Sequence, residues 1–170
     1  GNQNWIIIFV TSSTNLHSKE ISKIKDLVTV VLCSDGRGRD WGNFGLGIRY
    51  ATEIEFPKSL LSLNDSVYGP FGSLKEIFDK AEKKGTDFVG LTDSFQHGYH
   101  LQSYFIYCKS TLCNHVTFRN FWKKFIPQND KNEIIYNNEV GFTKYFSNLG
   151  FEPGCLYPYQ SLYDTASNGS

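Results

Sequence analysis

The chain has 170 residues, 40% of them hydrophobic and 16% aromatic, with 17 Lys plus Arg against 17 Asp plus Glu. Such a length and apolar content suit one globular domain with a substantial core, and exclude a disordered chain. The zero formal charge gives no field to draw in a polyanion, which sets nucleic acid aside as a partner.

The four cysteines, Cys33, Cys108, Cys113 and Cys155, lack CxxC spacing and read as reduced structural thiols, not as a disulfide framework or zinc site. The apolar run from Trp5 to Val10 is too short to cross a bilayer and has neither the basic flank nor the cleavage site of a signal peptide. These features predict a cytoplasmic protein with no membrane span, including a peripheral place at the inner face of the membrane. Methionine is absent, so Gly1 does not read as a native start. An excised domain of a larger protein is expected, with partner domains elsewhere. Residues 1–160 read as a single domain and residues 161–170, ending TASNGS, as a frayed tail.

In chain order, Ile6 to Val10 is a β-branched-rich strand and Ser18 to Leu27 an amphipathic helix, with Ile21, Ile24 and Leu27 at three-residue spacing. Thr29 to Cys33 is a second strand, which breaks at Ser34-Asp35 into a glycine-rich loop; Leu46 to Thr52 suits a helix. Ser59 to Leu63 is strand-like, and Leu74 to Lys84 shows helical periodicity that stops at Gly85. Phe88 to Leu91 and Leu101 to Cys108 are strands. Phe118 to Phe125 is an aromatic helix, and Val140 to Leu149 a helix closed by Gly150. Strands separated by helices predict an α/β sheet of mostly parallel strands.

Ligands of such sheets bind beyond the carboxyl ends of the strands. Thr11-Ser12-Ser13, Ser34-Asp35, Asn64-Asp65-Ser66 and Thr92-Asp93-Ser94 each follow an apolar run directly. Asp and Ser also end strands for purely structural reasons. Four such ends in one chain predict a shared crevice. Arg37 and Arg39, among glycines after the second strand, suit a diphosphate, because guanidinium pairs bidentately with phosphate. Asp40 repels phosphate, and its expected task is to orient Arg39 or a sugar hydroxyl.

The segments GRGRDWGNFGLGIRYA, LLSLNDSVYGPF, DFVGLTDS and HLQSYFIYCKSTL resemble successive blocks of the rhamnan synthesis F family of bacterial polysaccharide glycosyltransferases, from about Val28 to Phe151. The resemblance implies a GT-A fold, that is, a Rossmann-like α/β/α sandwich with a mostly parallel central sheet. It implies a nucleotide-diphosphate sugar donor such as dTDP-L-rhamnose, and a growing surface glycan or lipid-linked glycan as acceptor. Transferases of this type hold a divalent Mn or Mg ion with a D-x-D motif. Here that place reads Asn64-Asp65-Ser66, so Asp65 is either the metal ligand or a partner of the ribose. By the same resemblance Thr11, Ser13 and Asp35 hold base and ribose, and Glu139, in YNNEVGFTKYFSNLGF, takes the acceptor proton with inversion. Asp93 stands behind Glu139 as base, while His100, Gln102 and Ser103 suit sugar hydroxyls. His97 is a further loop candidate, and Trp41, Tyr68, Tyr99 and Tyr104 offer faces on which a sugar ring could stack. Two other readings compete: a noncatalytic carbohydrate- or nucleotide-sugar-binding module on the same fold, and a flavodoxin-like or receiver-like signalling domain. The second lacks a suitably placed lysine after a late strand.

Overall fold

The structure, a computed structural model, describes residues 5–13, 18–69, 72–161 and 163. Eight strands and seven α-helices lie along them, alternating up to the fourth strand, after which come three more strands and then four helices before the last strand. Strands β1 (Ile8–Thr11) and β2 (Val30–Cys33) form a parallel pair, joined by helix α1 (Ser18–Ile24), which buries no side chain. Helix α2 (Arg39–Ile54) leads to β3 (Leu60–Leu63), and α3 (Leu74–Lys83) to β4 (Phe88–Gly90). A two-stranded ribbon of β5 (Asp93–Ser94) and β6 (His100–Leu101) precedes β7 (Phe105–Cys108). Helices α4 (Ser110–Cys113) and α5 (Val116–Lys124) follow. Then α6 (Lys131–Ile134), a π-helical turn (Ile135–Val140) and α7 (Gly141–Asn148) run end to end before β8 (Pro153–Cys155).

The larger sheet has the order β3-β7-β4-β8 and is mixed: β7 runs antiparallel to both β3 and β4, while β4 and β8 are parallel. This corrects the expectation of a mostly parallel central sheet. A parallel return needs a crossover, usually a helix. Between Gly90 and Phe105 there is only the β5–β6 ribbon, so β7 comes back antiparallel. The same ribbon corrects the expected strand from Leu101 to Cys108, which a turn at residues 103–104 splits into β6 and β7.

Period-two alternation gives the larger sheet two buried faces. Phe88, Ile106 and Cys108 join Trp41, Phe118, Trp122, Phe142 and Phe146 in one core under α2, α5 and α7. Val89, Phe105 and Tyr107 point the other way, against Ala81, Ile77 and Phe78 of α3. Each fully buried large side chain contributes roughly 1.5–3 kcal/mol. Trp41 stacks on Trp122 with ring centroids 6.0 Å apart and is 1% exposed, so it belongs to the core and offers no face to a ligand. Cys108, Cys113 and Cys155 are buried and Cys33 is exposed; all four are free. Burial pushes the Cys113 thiol up to about 12.

Helix α2 runs through most of the segment expected to be a glycine-rich loop. Its glycines lie where neighbours come too close for a side chain. A Cβ on Gly45 would sit 2.7 Å from the Phe125 ring, and one on Gly47 would sit 3.2 Å from Val10. Tertiary packing thus overrides the weak helix propensity of glycine. Arg49 fastens the far side by donating from Nη1 to the Phe125 carbonyl at 3.2 Å.

Candidate active site

Because β3 and β4 both run opposite to β7, their carboxyl ends share one edge with the start of β7. The N-terminal turns of α2 meet that edge beside the end of β2. Ser34 donates from Oγ to Asn43 Oδ1 of α2 at 2.6 Å, and Asn64, at the end of β3, donates from Nδ2 to Asp40 Oδ2 at 2.8 Å. Asp40 and Asn43 are three residues apart and so lie on one face of α2.

The β1 and β2 ends are tied together by the Ser34 amide, which donates to the Thr11 carbonyl at 2.8 Å. Thr11 Oγ1 accepts from the Ser13 amide at 3.1 Å. Asp35 accepts from the Arg37 amide at 3.0 Å and from Arg37 Nε at 2.6 Å. This exposed pair presents Arg37 already partnered by a carboxylate, and the Arg37 backbone and guanidinium hold the Asp35 carboxyl below its ordinary range. Gly36 and Gly38 adopt positive φ, and Arg39, the first residue of α2, does so at 50°. For a residue with a side chain this is an uncommon conformation, set by the tight turn into the helix.

Asp40 is half-buried. Burial raises its carboxyl above the ordinary value, the Asn64 hydrogen bond lowers it, and the nearby Asp65 charge raises it again. Both ends of the Asn64 side chain are engaged, since its Oδ1 accepts from the Ser66 amide at 3.1 Å. Asp65 and Ser66 are exposed. The missing carboxylate of a D-x-D motif therefore has a neighbour in Asp40, which reaches Asn64 from α2. Among the described residues no group of three or more His, Cys, Asp or Glu side chains could hold a metal. Two carboxylates fit only a hard cation that brings phosphate oxygens and water as its other ligands. Asp40 and Asp65 are the carboxylates here that would hold such an ion.

At the β4 end, Thr92 donates from Oγ1 to Gln102 Oε1 at 2.9 Å and shares a 2.5 Å hydrogen bond with the Tyr104 hydroxyl. The Tyr104 carbonyl accepts from the Asn64 amide at 3.4 Å, and Ser103 donates from Oγ to Glu139 Oε1 at 3.2 Å. Through two hydrogen bonds and two chain-neighbour steps, Asp65, Asn64, Tyr104 and Ser103 at this edge thus connect to Glu139, which reaches it from the π-helical turn. Glu139 does not precede a helix, as expected from its sequence. It lies inside the π-helical turn of a continuous helix, a local irregularity that aims its carboxylate at Ser103.

Two other expected site residues are occupied by structure. Asp93 is 7% exposed, and its Oδ1 accepts from the Tyr159 amide at 2.7 Å, which ties the C-terminal segment to β5. His100 is 5% exposed, with Nδ1 at 2.9 Å from the Gly98 carbonyl. His97 lies 2.9 Å from the Tyr136 hydroxyl of the π-helical turn. Asn43 takes a place in this edge that the sequence reading did not assign, whereas Thr92 and Tyr104, expected at a strand end and as a stacking face, meet here in a hydrogen bond. Asn43 had one signal, its three-residue spacing from Asp40. Pro70 and Phe71, from the block that carries Asp65, lie outside the described residues.

An uncharacterized protein of Sinorhizobium fredii, y4gN, is 26% identical over 166 residues, which cover 95% of this chain and 43% of that protein. Virulence protein VirA of Vibrio anguillarum is 31% identical over 166 residues, which cover 95% of this chain and 52% of that protein. The chain spans about half the length of the curated relatives it matches. No solved structure matches it. Over residues 7–169 the sequence matches rhamnan synthesis protein F, and the chain belongs to that family.

Proposed function

We propose that this chain, tied by its family to polysaccharide synthesis, transfers a sugar from a nucleotide-diphosphate donor to a growing glycan with inversion. The observation that carries the reading is the set of hydrogen bonds by which α2 joins the end of β2 (Ser34–Asn43) to the end of β3 (Asp40–Asn64), beside the start of β7 where Ser103 meets Glu139. Thr11, Ser13 and Asp35 hold the nucleoside, and Arg37 and Arg39 the diphosphate. An acceptor hydroxyl attacks C1 of the donor sugar. The new bond is C1–O of the acceptor, and the broken bond is C1–O of the diphosphate, which leaves with the electron pair. Glu139 takes the hydroxyl proton, and Ser103 fixes its carboxylate for that task. Charge on the departing diphosphate falls to Arg37 and Arg39; a divalent cation, were one bound, would be held by Asp65 with Asp40 beside it and would add to that neutralisation. L-Rhamnose is the sugar to which the family name points.

Calorimetry with dTDP-L-rhamnose, with and without Mn²⁺, tests the reading. The parent chain should bind saturably and Asp65→Ala should bind at least about tenfold more weakly, with its thermal midpoint kept because no core is opened. Equal affinity in the two chains would remove Asp65 from the donor site. A second reading, a binding module without catalysis, is favoured by the lone carboxylate of Asn64-Asp65-Ser66. Release of dTDP on addition of glycan separates the two.

A further inference from the structure

Between α5 and the π-helical turn lies a groove of about 480 Å³ that no step of the proposed transfer uses. Small-ligand sites fall in the range of roughly 300–1,000 Å³. Asn138 lines the groove from the π-helical turn; it is 4% exposed, and its Nδ2 has no hydrogen-bond partner among the described residues. A buried donor left unpaired costs about 1–3 kcal/mol, and Asn138 Nδ2 is itself closed to solvent, so a ligand in the groove reaches it only where the wall gives way. Phe121 and Tyr145 form an aromatic wall, with ring centroids 5.5 Å apart and Tyr145 40% exposed. Asn120 stands on the rim. Asn137 donates from Nδ2 to Gln128 Oε1 at 3.2 Å, which places a second pair of amides there. Lys124 is the one charged side chain among the lining residues described, and no carboxylate lines the groove.

Ring faces that meet sugar C–H groups, beside amides that meet hydroxyls, suit a saccharide. One lysine is too little for a diphosphate, and the amides disfavour an alkyl chain. The groove also adjoins the candidate active site from two sides. Asn138 directly precedes Glu139, so consecutive residues of one turn serve the groove and the Ser103 edge. Pro127, in the segment that supplies Ile126 and Gln128, packs on Gly38 and Gly42 at the start of α2. We propose that the groove binds a sugar residue of the glycan, at a position removed from the hydroxyl that is glycosylated. That its occupant is the acceptor rests on the transferase reading; saccharide binding does not.

The test is titration of the ¹⁵N-labelled chain with a rhamnan trisaccharide, followed by ¹H–¹⁵N spectra. Saturable shifts are expected at the Asn138 side-chain amide and along α5. Asn120→Trp, which fills the rim from an exposed helix position, should weaken this binding at least about tenfold while the affinity for dTDP-L-rhamnose and the thermal midpoint stay unchanged. Tyr145→Ala should weaken it as well. Absence of saturable shifts, shifts confined to residues 92–103, or shifts that survive Asn120→Trp would each overturn the proposal. Donor binding without saccharide binding removes only this groove. Groove shifts in a chain that binds no nucleotide sugar remove the transferase reading and keep the saccharide site.

Discussion

Asp40 combines structural cost with a place in the candidate site. Its carboxyl is raised by burial, so the protonated form is favoured in the folded state. The corresponding stability is fully present below the unfolded value of 3.8 and is lost as pH rises through the higher folded value. Asp40→Asn keeps an oxygen to accept from Asn64 and removes the buried charge. It should unfold at a higher temperature than the parent at neutral pH, and the gap should close in acid below about pH 3.8. Equal midpoints at neutral pH would contradict this, as would a gap that persists in acid. The same exchange removes the second carboxylate beside Asp65, so stability should rise while Mn²⁺-dependent donor binding falls, a trade common at functional sites. The sequence displayed Asn64 and Asp65 as polar residues after an apolar run and Asp40 as part of a glycine-rich loop. It did not display their contact, because the hydrogen bond joins residues from a helix and a strand end far apart in the chain.

At the scale of elements, strands and helices with regular apolar spacing were legible: β2 to β4 and α3 fall within a residue of where the periodicity puts them, while β1 begins two residues later than expected. Helix α2 was only half legible, since its first turns are written in glycine and glycine usually signals a loop. Its need for glycine is steric. A Cβ on Gly42 would sit 1.8 Å from the Arg37 carbonyl oxygen, which is backbone and can move only with the Asp35–Arg37 turn. Gly42→Ala should therefore cost about 1–3 kcal/mol through overpacking. In a chain of this length that lowers the thermal midpoint by about 2–4 °C per kcal/mol. An unchanged midpoint would show that the turn yields freely. The π-helical turn left no mark that periodicity could find, because one turn of wider winding shifts the apolar pattern by a single residue. Successive residues of a helix point about 100° apart, so Asn138 faces the groove while Glu139 meets the sheet edge.

Across the whole molecule, the family was legible in its sequence blocks, whereas the direction of β7 was not inferred. The missing signal was negative: no helical pattern lies between Gly90 and Phe105, and without a crossover the chain returns antiparallel. The reversal has a functional result, since it brings Ser103 and Tyr104 to the edge where β3 and β4 end. The thiols report on whether this core is closed. In the native chain only Cys33 should react quickly with a disulfide reagent, while Cys108, Cys113 and Cys155, buried and raised in pKa, should wait for denaturant. More than one fast thiol would contradict the packing of α4 and β8 against the sheet. The central claim is that one edge holds the donor and deprotonates the acceptor, and Glu139→Gln tests it most directly. Glutamine keeps an oxygen for Ser103 and cannot take the proton. Turnover with dTDP-L-rhamnose and a rhamnan acceptor should fall by about a hundredfold or more, with donor affinity within about twofold of the parent. Turnover that survives the exchange, or donor binding that collapses with it, would contradict that role for Glu139.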